Sequence, residues 1–362
     1  MSKIQVNTLH IIDNLWLGGA QTVVKGIFEK YSQNENFHLF VLRDTDEKMS
    51  VENKNVTVYH SSSRFHFRAT IRQIQKIIKK ENIELLHCHL PRSQYTGIII
   101  KLIHKKIKLV FHEQGDVIDP FPLNLPAYKF FGNLIEHVIC CSDFVKNTLE
   151  KKSRFPGEKI SVLYNFVDRD VFTASDRVPG KKINIGFAGR LTQHKGWRDF
   201  LEATAKLSQK RPNICIHIAG TGKDKRKMLD TAKSLFPDSQ FMYHGFVKKM
   251  DDFYREMDFI CMPSHREPVG MVHIEAMASG KIVIASDVPG MNELLIHNKN
   301  AYLFEAGNIN DLQIKLSKAL DNSEKNSFLL KNAEKLLTKV SFSAFDENLQ
   351  KIYQNKILAP DN

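Results

Sequence analysis

The feature that most limits this chain is an alternation of two periods, run through twice. Short apolar runs are followed by longer segments whose apolar residues recur at helical spacing. In the first half "IQVNTLHII", "FHLFVLRD", "ELLHCHL", "KLVFHEQ", "HVICCSD" and "ISVLYNFVD" read as strands. Between them "GGAQTVVKGIFEKY", "ATIRQIQKIIKKENI", "SQYTGIIIKLIHKK" and "FVKNTLEKK" read as helices. The polar connection "TASDRVPGKK", Thr173 to Lys182, interrupts the pattern. It then restarts with strands "INIGFAG", "ICIHIAG", "FMYHGFV", "FICMPS" and "KIVIASD" around helices such as "GWRDFLEATAKLSQK" and "GMVHIEAMAS". Such alternation predicts parallel sheets with helices on both faces. The fold class expected is α/β with two Rossmann-like, doubly wound domains, residues 1–172 and 173–340, facing a central cleft. Ligands of such sheets bind at the carboxyl ends of the strands.

Composition narrows the function classes. With 362 residues, 42% apolar and 25% charged, the chain is long enough for two globular domains. The net charge of +12 favours anionic partners: nucleotides, nucleic acid or an acidic membrane face. No nucleic-acid recognition motif stands out, and nucleic acid is not expected as a partner. The five cysteines lie at 88, 140, 141, 215 and 261 without Cys-x-x-Cys spacing, which predicts buried free thiols and a reducing, cytoplasmic location. The start "MSKIQVNTLHIIDNLW" has no signal-peptide core, and no apolar run approaches the ~18 residues of a membrane span.

The chemistry concentrates in "SHREPVGMVHIEAMASG", Ser264 to Gly280. A strand ends at Ser264, a turn carries Glu267 and Pro268, and a helix is expected from about Gly270 until Gly280 stops it. The free N–H groups of Gly270, Met271 and Val272 would form an anion site. Glu275 lies five residues into that helix, about 7.5 Å along its axis, a distance that suits a ribose attached to a phosphate at the tip. A carboxylate there can accept hydrogen bonds from a vicinal diol. Glu267 flanks the anion site on the other side, where a sugar would lie. Alone, this Glu-x7-Glu spacing equally describes a solvated carboxylate and a capping residue.

The neighbouring loops add to it. "GFAGRLTQHKGWRDF" puts Arg190 and Lys195 after a strand, with Gly196 opening the next helix. Two cations in such a loop could stabilise the charge that grows on a leaving diphosphate; surface charge near a turn is the plain alternative. "AGTGKD" supplies glycines for tight turns. In "HCHL", His87 and His89 share one strand face, but no further ligands with zinc spacing accompany them, and no metal is expected.

The stretches "AGRLTQHKGWRDFLEA", "IAGTGKD" and "HGFVKKMDDFYREMDFICMPSHREPVGMVHIEAMASGKIVIASDVPGMNELL" together resemble the family 4 glycosyltransferases, the retaining enzymes of GT-B fold. The resemblance is strong from Gly186 to Leu295 and looser before. It implies that Arg190 and Lys195 bind the donor diphosphate, that Glu275 binds the ribose, and that Glu267 lies at the transferred sugar. It places Gly245 to Val247 near the base and has Gly270, Met271 and Val272 offer N–H groups. In the first half it matches Gly18 and Gly19 of "WLGGAQTVV" to a glycine loop facing the donor phosphate, and His112 of "FHEQGD" to a histidine contacting the donor sugar. Asn165, Asp168 and Phe172 match a segment read as structural. The last helix, about 341–357, resembles a tail that crosses back to the first domain. Where the family turn usually reads Glu-Gly-Phe-Gly, this chain has Glu-Pro-Val-Gly, and Asn300 stands where glycine is common.

The resemblance implies a retaining, metal-independent glycosyltransferase of hexosyltransferase type. It would have no cofactor beyond its UDP- or GDP-sugar donor. The acceptor would be a glycan or lipid-linked hydroxyl in envelope polysaccharide or glycoconjugate synthesis. An epimerase on the same fold and a non-catalytic sugar-binding or nucleotide-binding protein are the alternatives. The basic helices "ATIRQIQKIIKKENI" and "GIIIKLIHKKIKLV", with Phe65 and Phe67 of "SRFHFR" and the apolar loop "DPFPLNLPAYKFFG", raise an anionic membrane surface as a further partner. The competing reading is that these helices turn their apolar sides to their own sheet.

Overall fold

The computed structural model describes residues 6–16, 18–30, 36–43, 49–53, 56–61, 67–115, 125–174 and 182–358. Thirteen strands lie among them: β1 (Thr8–Ile12), β2 (Phe37–Val41), β3 (Thr57–His60), β4 (Leu85–His89), β5 (Lys108–Glu113), β6 (His137–Cys140), β7 (Ile160–Val162), β8 (Ile183–Ala188), β9 (Ile214–Ala219), β10 (Phe241–Gly245), β11 (Phe259–Met262), β12 (Ile282–Ser286) and β13 (Tyr302–Phe304).

The chain divides into two compact units. One comprises residues 1–165 with 342–362, and the other residues 166–341. The first holds a seven-stranded parallel sheet in the order β3-β2-β1-β4-β5-β6-β7. The second holds a six-stranded parallel sheet in the order β10-β9-β8-β11-β12-β13. Each order reverses once, between β1 and β4 and between β8 and β11, so each unit is doubly wound. The central strands are buried on both faces: every residue of β1, β4 and β12 is buried. That is why they read as unbroken apolar runs and not as alternating ones.

The first unit ends at Asn165, seven residues before the expected boundary at Phe172. The reason is that Val167 bridges to Ser341 and Phe172 packs against Tyr254, so this segment belongs to the second unit. Residues 175–181 of the expected linker lie outside the described residues. Strand β3 and the helices Ile309–Asp321 and Ser323–Lys339 complete the pattern. Leu125–Phe131, expected as part of an apolar loop, is a helix with Ala127 and Tyr128 buried.

The last helix, Phe342–Ile352, continues into a turn of π-helix at Tyr353–Ile357. Phe345, Leu349, Ile352, Tyr353 and Ile357 are buried. The helix Phe67–Lys80 buries Thr70, Ile71, Ile74, Ile77 and Ile78, leaving Arg68, Arg72, Lys76, Lys79 and Lys80 exposed. "GIIIKLIHKKIKLV" is not one helix. The helix ends at Ile103 and β5 begins at Lys108, while Lys101 is held by Glu136 and the Ile107 carbonyl, each at 2.6 Å. Phe65 lies outside the described residues, and Phe67 is half-exposed. Among the described residues no helix is long and apolar enough to cross a membrane. Cys88, Cys140, Cys141 and Cys261 are buried free thiols, and Cys215 is half-buried.

Candidate functional site

In the second unit the loop after β8 and the loop after β11 are fastened together. Gly196 adopts φ 69°, and a Cβ there would sit 1.8 Å from the Pro263 carbonyl oxygen, so only glycine lets the two backbones meet. The His265 amide donates to the His194 carbonyl at 2.8 Å, and the His265 ring meets Asp199 at 2.7 Å. This brings the Lys195 ammonium 2.5 Å from the Glu267 carboxylate. Ser264 Oγ donates to the same carboxylate oxygen at 3.2 Å. Glu267 is buried, so its charge is matched by a cation and a hydroxyl instead of water. The turn after β12 supports it from below. A Cβ on Gly290 would lie 2.3 Å from both the Glu267 and Pro268 carbonyl oxygens.

The helix after this turn is shorter than expected. It runs from Val272 to Ala278, because Gly270, at φ 81°, cannot continue a right-handed helix. Gly280 stops it as expected: Gly280 N–H donates to Met277 O and Lys281 N–H to Ala276 O, both at 2.9 Å. No side chain caps its start, at Met271. Glu275 therefore falls in the first turn. It is buried and accepts a hydrogen bond from the Tyr254 hydroxyl at 2.8 Å. Burial pushes its carboxyl up to about 7, and the Tyr254 hydrogen bond opposes the shift. Arg190 is exposed, with no ion pair to its guanidinium among the described residues. Gly245 ends β10 and accepts from the Gly220 amide at 2.6 Å, and Val247 is half-buried beyond it.

Two side chains of this unit escaped the sequence reading. Tyr254 lies in the helix Met250–Glu256, and nothing in its local sequence marks it as the partner of Glu275. His273 is fully buried, and neither ring nitrogen has a hydrogen-bond partner. Burial pushes its ring down to about 4, with Glu267 pulling the other way.

In the first unit Gly19 begins the helix Gly19–Lys30, and the Gly18 carbonyl accepts from the Thr22 amide at 3.0 Å. His112, near the end of β5, is fully buried. Here the sequence expectation needs correction: His87 and His89 do have histidine neighbours. Parallel register places His10 beside His87 and His89 beside His112, all on one face of the sheet. Cys88 points the other way, against Gly97 of the covering helix. His10 Nδ1 meets His89 Nε2 at 3.0 Å, and His87 Nε2 meets His112 Nδ1 at 3.1 Å.

The ligand atoms of His10, His87 and His89 lie within 4.8 Å of one another, which would suit a metal by distance alone. Their planes tell against convergence. The His10 and His89 rings are nearly parallel, 16° apart in plane with centroids 5.3 Å apart. His87 stacks over both, its ring 26° from the His10 plane and 10° from the His89 plane. A ring-nitrogen lone pair lies in the ring plane, so three such rings do not aim at one point. A second group, His217, His244 and Glu256, is partly exposed.

Residues 168–336 match the family model for glycosyl transferases group 1, and residues 17–171 match that for Glycosyltransferase Family 4. An uncharacterized glycosyltransferase of Methanocaldococcus jannaschii is 25% identical over 353 residues, 94% of this chain and 95% of the relative. The N-acetyl-alpha-D-glucosaminyl L-malate synthase of Bacillus anthracis is 25% identical over 251 residues, 65% of each chain. Among solved structures, HepE of Anabaena in complex with UDP is 19% identical at a TM-score of 0.81, covering 96% of this chain and 100% of that one. Sucrose-phosphate synthase of Thermosynechococcus elongatus is 16% identical at a TM-score of 0.81, covering 96% and 98%. The fold is that of the GT-B glycosyltransferases. The two family models together run from residue 17 to residue 336, and the chain belongs to the group 1, family 4 glycosyltransferases.

Proposed function

We propose that the protein is a retaining glycosyltransferase. It moves a sugar from a UDP- or GDP-sugar to a hydroxyl of a glycan or lipid-linked acceptor, without a required metal. The observation that carries this reading is the ion pair between half-buried Lys195 and buried Glu267, clamped between two βα loops at 2.5 Å. A cation and a carboxylate held together at the ends of β8 and β11 offer opposite charges to the two partners that separate when a glycosidic bond breaks. Lys195, with Arg190, faces the negative charge growing on the leaving diphosphate. Glu267 faces the positive charge developing on the sugar. Glu275, held by Tyr254, accepts hydrogen bonds from the ribose hydroxyls. The departing phosphate takes the acceptor proton, and attack on the face it leaves keeps the anomeric configuration. The UDP complex of HepE supports a nucleotide-sugar donor on this fold.

The acceptor side would approach an anionic membrane by charge and not by apolar insertion, because the apolar side of Phe67–Lys80 is spent on its own unit. The deciding experiment is a panel of nucleotide sugars incubated with and without candidate acceptors in EDTA. Nucleotide release that requires acceptor, with product linkage read by NMR as the donor's configuration, is the expected result. Release without acceptor alongside an isomerised sugar would establish an epimerase instead. An inverted product or loss of turnover in EDTA would overturn the retaining or metal-free part.

A further inference from the structure

The tail helix delivers one polar atom into the core of the first unit. The Tyr353 hydroxyl lies 2.5 Å from His87 Nδ1, and His87 Nε2 lies 3.1 Å from His112 Nδ1. All three side chains are buried, at 1%, 0% and 0% exposure. His112 Nε2 is also buried and has no hydrogen-bond partner. We propose that Tyr353, acting through His87, is a positioning residue that fixes His112 in the tautomer carrying its proton on Nε2. That N–H then points out of the relay, available to an oxygen of a ligand bound on the first unit.

The direction of the chain follows from donor and acceptor chemistry. A phenol O–H is a better donor than an imidazole N–H, and the imidazole lone pair is a better acceptor than a phenol oxygen. Burial raises the Tyr353 pKa well above the usual tyrosine value, so the hydroxyl keeps its proton. Burial, with neighbouring histidines, holds His87 and His112 well below the usual histidine range, so each ring carries a single N–H. Tyr353 O–H donates to His87 Nδ1. His87 must then carry its proton on Nε2, which donates to His112 Nδ1. The proton of His112 is left on Nε2, the one ring nitrogen of this relay without a partner. Reversing the first bond would reverse every later one and leave His112 Nε2 as an acceptor. The tail helix would thus determine whether this position recognises an oxygen or an N–H or O–H group.

The role of His112 toward substrate rests on the proposed glycosyltransferase activity, but the tautomer does not, and the test separates them. In protein labelled with 15N-histidine, long-range proton–nitrogen correlation should show His112 as the Nε2–H tautomer, assigned by loss of its signals in His112→Asn. Tyr353→Phe removes the donor and should shift His112 toward Nδ1–H. It should also lower kcat/KM by about 10- to 100-fold, the scale for partners that orient a functional imidazole. His87→Gln supplies an amide N–H where Nε2–H was and needs no tyrosine, so it should restore the His112 tautomer in the Tyr353→Phe background. An Nδ1–H tautomer in the wild type, or a tautomer indifferent to Tyr353→Phe, overturns the relay whatever the activity. A tautomer that shifts in Tyr353→Phe while activity stays full overturns the bearing of the relay on the reaction.

Discussion

Lys195 and Glu267 hold each other, so removing either leaves a mismatched charge in a partly dry loop pair. Lys195→Ala should lower kcat by about 10²- to 10³-fold, the scale of one lost electrostatic stabiliser. Wild-type turnover in the folded variant would remove Lys195 from the leaving-group site. Glu267→Ala should reduce transfer while keeping affinity for the nucleoside diphosphate, and Glu275→Ala should weaken that affinity; calorimetry on both variants separates the two roles.

Glu275 also makes a prediction that needs no substrate. Its carboxyl is raised from 4.5 to about 7 in the folded state. Below 4.5 both states are protonated. Above that the unfolded chain loses its proton first, so stability falls as pH rises through about 7. Glu275→Gln has no such proton to lose. Urea denaturation should therefore show the variant gaining roughly 2–3 kcal/mol on wild type between pH 5 and pH 8. A constant difference across that range would mean the carboxylate is not desolvated.

At the scale of elements, the site depends on backbones that touch. Gly196→Ala should cost more than the ~1–2 kcal/mol of a left-handed residue alone, because its methyl would collide with the Pro263 carbonyl. Gly245, at φ 65°, has nothing within 4 Å of its Cβ position and serves as the matched control. Gly245→Ala should cost only the conformational part, and equal destabilisation of the two variants would contradict the loop clamp. The same elements show what the sequence could and could not reveal. The buried strands and the charged residues of the site were legible, because burial on both faces leaves apolar runs, Lys195 precedes Gly196, and Glu267 and Glu275 flank Gly270. Strand β3 was not, since its four residues sit at the sheet edge and none is fully buried. The helix Leu125–Phe131 was read as loop because prolines crowd its start. Tyr254, Tyr353 and the pairing of His10 with His89 were invisible for a different reason. Each partner arrives from a different element: Tyr254 and Glu275 from two helices, Tyr353 on the returning tail, and His10 and His89 through the parallel register of β1 and β4.

At the scale of the whole molecule, part of the excess positive charge lies on the ridge Arg68, Arg72, Lys76, Lys79 and Lys80, all exposed on one helix. At ~1 kcal/mol for each basic residue near an anionic surface, cosedimentation with anionic vesicles should be evident at low salt and lost at high salt. Charge reversal at Arg72 and Lys76 should abolish it, and binding that persists in high salt would call for apolar insertion instead. The chain also leaves its first unit at Asn165 and returns to it at Phe342. That unit therefore cannot finish its core until the last residues are made. Phe345, Leu349, Ile352, Tyr353 and Ile357 each bury nearly all of their surface there. At about 1.5–3 kcal/mol for each large apolar side chain, their sum approaches the roughly 5–15 kcal/mol that holds a whole domain together. A chain ending at Ser341 should thus lose the fold of its first unit while the second, complete between residues 166 and 341, keeps its own. Limited proteolysis reads this directly: the truncated protein should be digested to a resistant fragment starting near residue 166. Equal resistance of both halves would mean that the tail only decorates a unit already closed without it.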